Sequence, residues 1–215
     1  MISSEDTPTP TETRFTIATF SRVAGSADNA LSAARITGRL RKIGVPARLI
    51  VRGAPQLMFE RVRLMLSASA ISSVEVRPYT TEFDEIATDI VNADAVIIPV
   101  RAAEFDESAL AATVSGVPLL VPDISAIGLY LADRYPAELV GPMLIPQQAG
   151  AAVQLDQWVQ RLHEMYADLP RARHRSAELQ RIVHEHNRTP EAVETSLAMI
   201  DRATRAVRNL PSPRI

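Results

Sequence analysis

Along this chain, short apolar runs rich in β-branched residues alternate with longer stretches whose apolar residues recur every three or four positions. Phe15–Phe20 reads as a strand. Over residues 29–43 the spacing of Ala33, Ile36, Leu40 and Ile43 predicts a helix with one inward face. Arg39, Arg41 and Lys42 suit the negative end of its dipole, and Gly44 ends it. Residues 47–51 form the second strand, and Pro55 opens a helix carrying Leu57, Met58, Val62 and Met65. Residues 74–77 are a short third strand. Residues 82–92 form a helix with Phe83, Ile86, Ala87, Ile90 and Val91 turned inward. The run 95–100 is almost continuously apolar, as a central strand covered on both faces must be. A helix at 106–115 capped by Gly116, a strand at 117–121, a helix at 125–135 and a Pro-punctuated strand at 139–145 complete the series.

Strands separated by helices of ten or more residues give a parallel sheet with right-handed crossovers. The predicted fold is therefore a doubly wound, Rossmann-like α/β domain of about six strands over residues 14–148. From 149 to 209 the pattern is helical, and this extension is expected to pack on the domain. Its first helix carries Val153, Leu155, Trp158, Val159, Leu162, Met165 and Tyr166 in one stripe, and helices near 170–186 and 190–208 follow. Residues 1–13 are acidic and rich in Ser, Thr and Pro, which predicts a disordered tail. They lack the basic start and apolar segment of a secretion signal.

Composition narrows the chemistry. A length of 215 residues is enough for a real core, and the 47% apolar content is ordinary for a globular protein. A net charge of −2 provides no basic field for nucleic acid. The Arg-rich stretch at 171–175 reads as a solvated helix face. The chain has no cysteine, which excludes disulfides, thiolate metal sites and cysteine nucleophiles. His184 and His186 stand two apart on a helix and point to different faces, so no metal site is expected. No run approaches the roughly 20 apolar residues that span a bilayer, and a cytoplasmic protein is expected. No glycine-rich dinucleotide, Walker or Gly-x-Ser-x-Gly motif is present.

One stretch carries more. Ala93-Asp94, an apolar strand, Pro99, Phe105, Leu110, Gly116 and Pro118 keep a fixed register without gaps, and Phe15–Phe20 is followed by Ser21-Arg22-Val23. In this order the residues resemble the C-terminal, donor-binding domain of group 1 glycosyltransferases of the two-domain GT-B fold. The helical end through Glu185-His186-Asn187-Arg188-Thr189-Pro190 is similar to that family's closing helices. The resemblance implies donor-binding chemistry that this chain lacks. The family's first Glu, which orients the donor sugar, falls at Ala103, and its second, which binds the ribose, falls at Ala111. Its phosphate-binding Lys matches Ala27. Its Gly-Gly pair matches Ser125 and Ala126, and the Glu that follows matches Leu129. Arg22 is retained, with Arg101 as a substitute cation. The family's N-terminal acceptor domain has no counterpart here.

The loop Glu104-Phe105-Asp106-Glu107 occupies a helix start where the family places glycines against a diphosphate. Free N–H groups at such a start attract anions. Asp106 is a good cap there and Glu107 suits the first turn. The three carboxylates repel a diphosphate, each like-charge pair by about 4 kcal/mol at about 4 Å before screening. Arg22, Arg101, Glu104, Asp106, Glu107 and Asp123 are the candidate ligand-contacting residues. Arg22 either holds a phosphate or pairs with Glu104 or Asp123. Asp123 either meets a ligand hydroxyl or caps the helix after it. Two functions fit: a non-catalytic domain used for interaction or regulation, with no cofactor, or the UDP- or GDP-hexose-binding half of a split hexosyltransferase. Both require a homodimer or a partner protein over the face of the missing acceptor domain, including a surface near Ala192, Val193, Leu197, Ile200 and Val207.

Overall fold

The computed structural model describes residues 14–20, 28–67, 74–99, 106–147 and 151–191, with 193–194, 196–198, 202 and 205. Six strands make one sheet: β1 (Phe15–Phe20), β2 (Ala47–Ala54), β3 (Val74–Pro78), β4 (Ala95–Ile97), β5 (Leu119–Pro122) and β6 (Leu144–Ile145). Their spatial order is β3-β2-β1-β4-β5-β6, and every pairing is parallel. The chain runs outward from β1 to β3, returns to β4, and runs outward again. That reversal places the connecting helices on both faces, the doubly wound arrangement.

Helices α1 (Asp28–Lys42), α2 (Phe59–Ser67) and α7 (Ala151–Ala167) cover one face. There Ile17, Leu49, Val51 and Ile97 of the sheet pack with Ile36, Leu40, Val62, Leu66 and Trp158. Helices α3 (Phe83–Val91), α4 (Glu107–Val114), α5 (Ala126–Arg134), α6 (Ala137–Val140) and α8 (Leu169–His186) supply the second core. It joins Ala18, Ile50, Val96 and Leu119 to Ile90, Ala109, Ile127, Leu179 and Val183. Even positions of β1 thus face one layer and odd positions the other, as strand geometry requires. Each large side chain so buried contributes about 1.5–3 kcal/mol.

The Ala93-Asp94 pair has a structural cause. Asp94 stands at the amino end of β4 and accepts the Thr16 amide on Oδ2 at 2.8 Å, while its own amide donates to the Thr16 carbonyl at 2.8 Å. This reciprocal pair fixes the register of β4 against β1. Arg173 of α8 reaches the other carboxylate oxygen at 2.5 Å. Gln180 of α8 donates to the Val114 carbonyl at 2.8 Å, filling the end of α4 beside Gly116, whose φ of +69° suits glycine.

Several expectations change. Ile43 lies past the end of α1 in a turn and is exposed, while Val45 is buried. Leu57 belongs to a 3₁₀ turn (Gln56–Met58), and the inward residues of α2 are Val62 and Leu66. On α3, Phe83 and Val91 are exposed, and the buried positions are Asp89 and Ile90. The segment 139–145 is mostly helical: α6, a 3₁₀ turn (Gly141–Met143) and the two-residue β6. Pro142 inside that turn removes a ladder donor and keeps the strand short. The described residues among 190–205 are helical, and Val193 and Leu197 are exposed there. The predicted tail 1–13, and Val153, Ala192, Ile200 and Val207 as contact positions, lie outside what is described. No described helix is long and apolar enough to cross a membrane.

Candidate functional site

In a doubly wound sheet the ligand crevice opens at the carboxyl ends of the strands where the order reverses, here between β1 and β4. Arg22 follows β1, and Arg101, Ala103 and Glu104 follow β4; all four lie outside the described residues. The remaining candidates sit on the start of α4 and on the turn between β5 and α5.

Asp106 is the N-cap of α4. Its Oδ1 accepts the Ala109 amide at 3.0 Å and the Ser108 hydroxyl at 2.5 Å. One of the free donors that make a helix start an anion site is thereby occupied by the chain's own carboxylate. Glu107 is exposed in the first turn, where it complements the helix dipole. Ala111 is half-buried inside α4, and its methyl offers nothing to a ribose hydroxyl.

The next turn is closed in the same way. Ser125, rather than Asp123, caps α5: its Oγ accepts the Gly128 amide at 3.1 Å and donates to the Pro122 carbonyl at 2.7 Å. Asp123 is turned to the sheet edge, where its Oδ1 accepts the Gln147 amide at 3.1 Å and its amide donates to the Ile145 carbonyl at 3.0 Å. It ties β5 to β6. A Cβ at Gly128 would stand 2.2 Å from the Pro122 carbonyl oxygen, so α5 needs glycine to start this close to the strand. The structure thus brings Asp106, Glu107 and Asp123 to one edge of the sheet, each of the two aspartates in a structural hydrogen bond. In β1, Thr19 is fully buried and its Oγ1 has no hydrogen-bond partner.

A denser charge cluster lies two strands away, and sequence reasoning passed over it. Arg52, at the carboxyl end of β2, is buried against Asp89 of α3, which is fully enclosed. Arg77 of β3 holds the other carboxylate oxygen of Asp89. Arg52 also donates to Glu85 at 3.0 Å and to the Pro78 carbonyl at 3.2 Å, and Arg77 pairs with Glu75 at 2.7 Å. Burial works against the Arg77 charge, but its bonds to Glu75 and Asp89 outweigh that and raise its pKa. The available signal was an arginine inside an apolar strand together with a carboxylate on the inward face Ile86-Asp89-Ile90-Ala93. A smaller polar group closes the far side. The Tyr135 ring stacks on His186 at 5.8 Å, and its hydroxyl meets that of Tyr130 at 3.3 Å. Burial and that hydroxyl hold the Tyr135 phenol above the usual tyrosine range. Among the described residues no cluster of His, Asp or Glu has the makings of a metal site.

A family model described as family 4 glycosyltransferases in conflict systems matches residues 1–197. No curated protein matches the chain in sequence. Solved structures match in fold at low identity. A mutant of S. aureus TarM, determined in complex with UDP, superposes with a TM-score of 0.60 at 13% identity, over 87% of this chain and 35% of that one. A trehalose-phosphate synthase from Burkholderia xenovorans gives 0.59 at 14%, over 93% and 45%. The catalytic domain of a cholesterol glucosyltransferase from Helicobacter pylori gives 0.59 at 10%, over 84% and 98%. The chain therefore spans about a third to a half of the first two structures and nearly all of the third.

Proposed function

From the premise that this chain belongs to the family 4 glycosyltransferases in conflict systems, we propose that it is a non-catalytic member, a donor-type half-domain used for protein interaction or regulation. The observation that carries this reading is the start of α4. The helix end that faces the crevice is capped by Asp106, flanked by Glu107, and followed by a methyl at Ala111. A diphosphate approaching there would have to displace a carboxylate already bonded to Ala109 and Ser108. The turn at Ser125 is likewise satisfied from within.

A second reading has one observation in its favour. The Helicobacter pylori chain described as a catalytic domain is matched over 98% of its length. On this reading the chain is the nucleotide-sugar half of a split hexosyltransferase and acts with a separate acceptor subunit. Arg22 and Arg101 would then hold the donor phosphates.

Thermal unfolding in millimolar UDP-hexose or GDP-hexose separates the two. The non-catalytic reading expects no shift in Tm. A ligand present at 100 times its Kd adds about 2.7 kcal/mol, so a shift of several degrees that disappears in Arg22→Ala establishes donor binding and overturns it.

A further inference from the structure

Charge is spread unevenly along this chain. Residues 29–73 hold a single acid, Glu60, in a chain whose net charge is −2. The exposed basic residues of this segment lie on two helices: Arg35, Arg39 and Lys42 on α1, and Arg61 and Arg63 on α2. The two helices share one face of the sheet. Helix α1 joins β1 to β2 and α2 joins β2 to β3, and right-handed crossovers that step in one direction stay on one side. Both bury their inward residues in the same core, and they pack against each other. Their sides away from the sheet therefore form one outer surface.

Helical spacing decides what that surface carries. On α1, Ala33, Ile36 and Leu40 are buried, and Arg35, Arg39 and Lys42 line the opposite side at steps of four and three. On α2, Val62 and Leu66 are buried and Leu64 is 63% exposed; Leu57, in the 3₁₀ turn that leads into α2, is 101% exposed. Seven residues are two turns, so Leu57 and Leu64 share the outward side. Arg61 and Arg63 flank Leu64, with Glu60 paired to Arg63 at 2.7 Å. Helix α7, packed on α1, bounds the patch with Asp156 and with Glu164, which pairs with Arg161 at 3.6 Å. The surface is thus basic, with two leucines standing in it. Cations alone would suit a nucleic-acid backbone. Leucines in water do not, and the aromatic ring that base stacking would need is missing, because Phe59 of α2 packs against the core. An anionic bilayer rewards both features: the cations meet the headgroups and the leucines enter the acyl boundary.

We propose that the outer surface of α1 and α2 docks this protein peripherally on an anionic lipid bilayer, with Arg35, Arg39 and Lys42 at the headgroups and Leu57 and Leu64 inserted beneath them. The docking uses none of the crevice residues. It goes beyond both readings of the donor site and is measured without donor, so its failure and theirs are separate results.

The test is cosedimentation of the full chain with phosphatidylcholine vesicles containing about 30% phosphatidylserine. At low salt the protein should pellet with these vesicles and not with phosphatidylcholine alone, and about 0.5 M salt should weaken the binding. Arg35→Glu combined with Arg39→Glu and Lys42→Glu should lower affinity by about a hundredfold or more. Leu57→Ser combined with Leu64→Ser should lower it by about tenfold. All these side chains are exposed, so circular dichroism should report an unchanged fold. Arg181→Glu, an exposed reversal on α8 across the sheet, should leave binding as it is. The chain's one tryptophan, Trp158, is buried. Leu57→Trp therefore adds an exposed reporter whose emission should move to the blue on anionic vesicles. Absence of binding to those vesicles at low salt overturns the proposal. So does binding that survives the triple reversal on α1, an unshifted Leu57→Trp emission, or capture of a mixed-sequence single-stranded oligonucleotide in preference to the vesicles.

Discussion

Two regions on the same carboxyl edge of the sheet deal with charge in opposite ways. At the start of α4 and after β5, Asp106 and Asp123 are bonded to the backbone amides of Ala109 and, just past β6, Gln147. At the β2–β3 corner, Asp89 of α3 is held by two arginines from two strands. The first arrangement is local and mostly solvated, and each contact is modest. The second is assembled over long sequence distances and buried, so its parts depend on one another. The described part of the edge near the crevice is thus held by local and neighbouring backbone bonds, while the β2–β3 corner is held by buried charges.

The sharpest way to break this comparison is Asp89→Ala. It leaves buried Arg52 and half-buried Arg77 without their shared partner and should cost about 3–5 kcal/mol, read as a fall in the urea midpoint. A loss of under about 1 kcal/mol would place the corner in the same class as the crevice. Gly128→Ala comes next. The added Cβ would meet the Pro122 carbonyl oxygen at 2.2 Å, and the forced shift of α5 should cost about 1–3 kcal/mol in the same measurement. Asp106→Ala removes only a cap and should cost about 1 kcal/mol. It should also leave Tm insensitive to millimolar UDP-hexose, because Ala111 still lacks the group a ribose needs.

The smallest effect is one of pH. The Tyr135 phenol is held above its ordinary value by burial and by Tyr130. Above about pH 10 the unfolded chain gives up this proton before the folded one, so stability falls as pH rises from there. That contribution is complete below about pH 10. Tyr135→Phe should flatten this alkaline part of the stability profile relative to the wild type.

Much of the fold was legible because its signals are periodic and local. The strands, the helices and the parallel sheet follow from alternation of apolar patterns, and Asp106 was identifiable as a cap from its place before a helix. The cap of α5 was expected two residues too early: Ser125 and Asp123 are both good cap residues, and only the path of β6 shows that Asp123 is occupied by Gln147. Phe83 and Val91 were read as inward because they are apolar and correctly spaced. The structure instead turns Asp89 inward, where two arginines make a buried carboxylate affordable. No periodicity weighs a carboxylate against a phenylalanine until its partners are known.

By itself, then, the sequence determined the α/β alternation and the parallel sheet. These follow from residue type and spacing along one chain. Tertiary structure alone decided which carboxylates are structural, which helix face is buried, and which apolar residues are left in solvent. Those outcomes depend on partners 30 to 80 positions away, as in Arg52 with Asp89 and Asp94 with Thr16. A charge is stable in a core only when such a distant partner arrives to meet it.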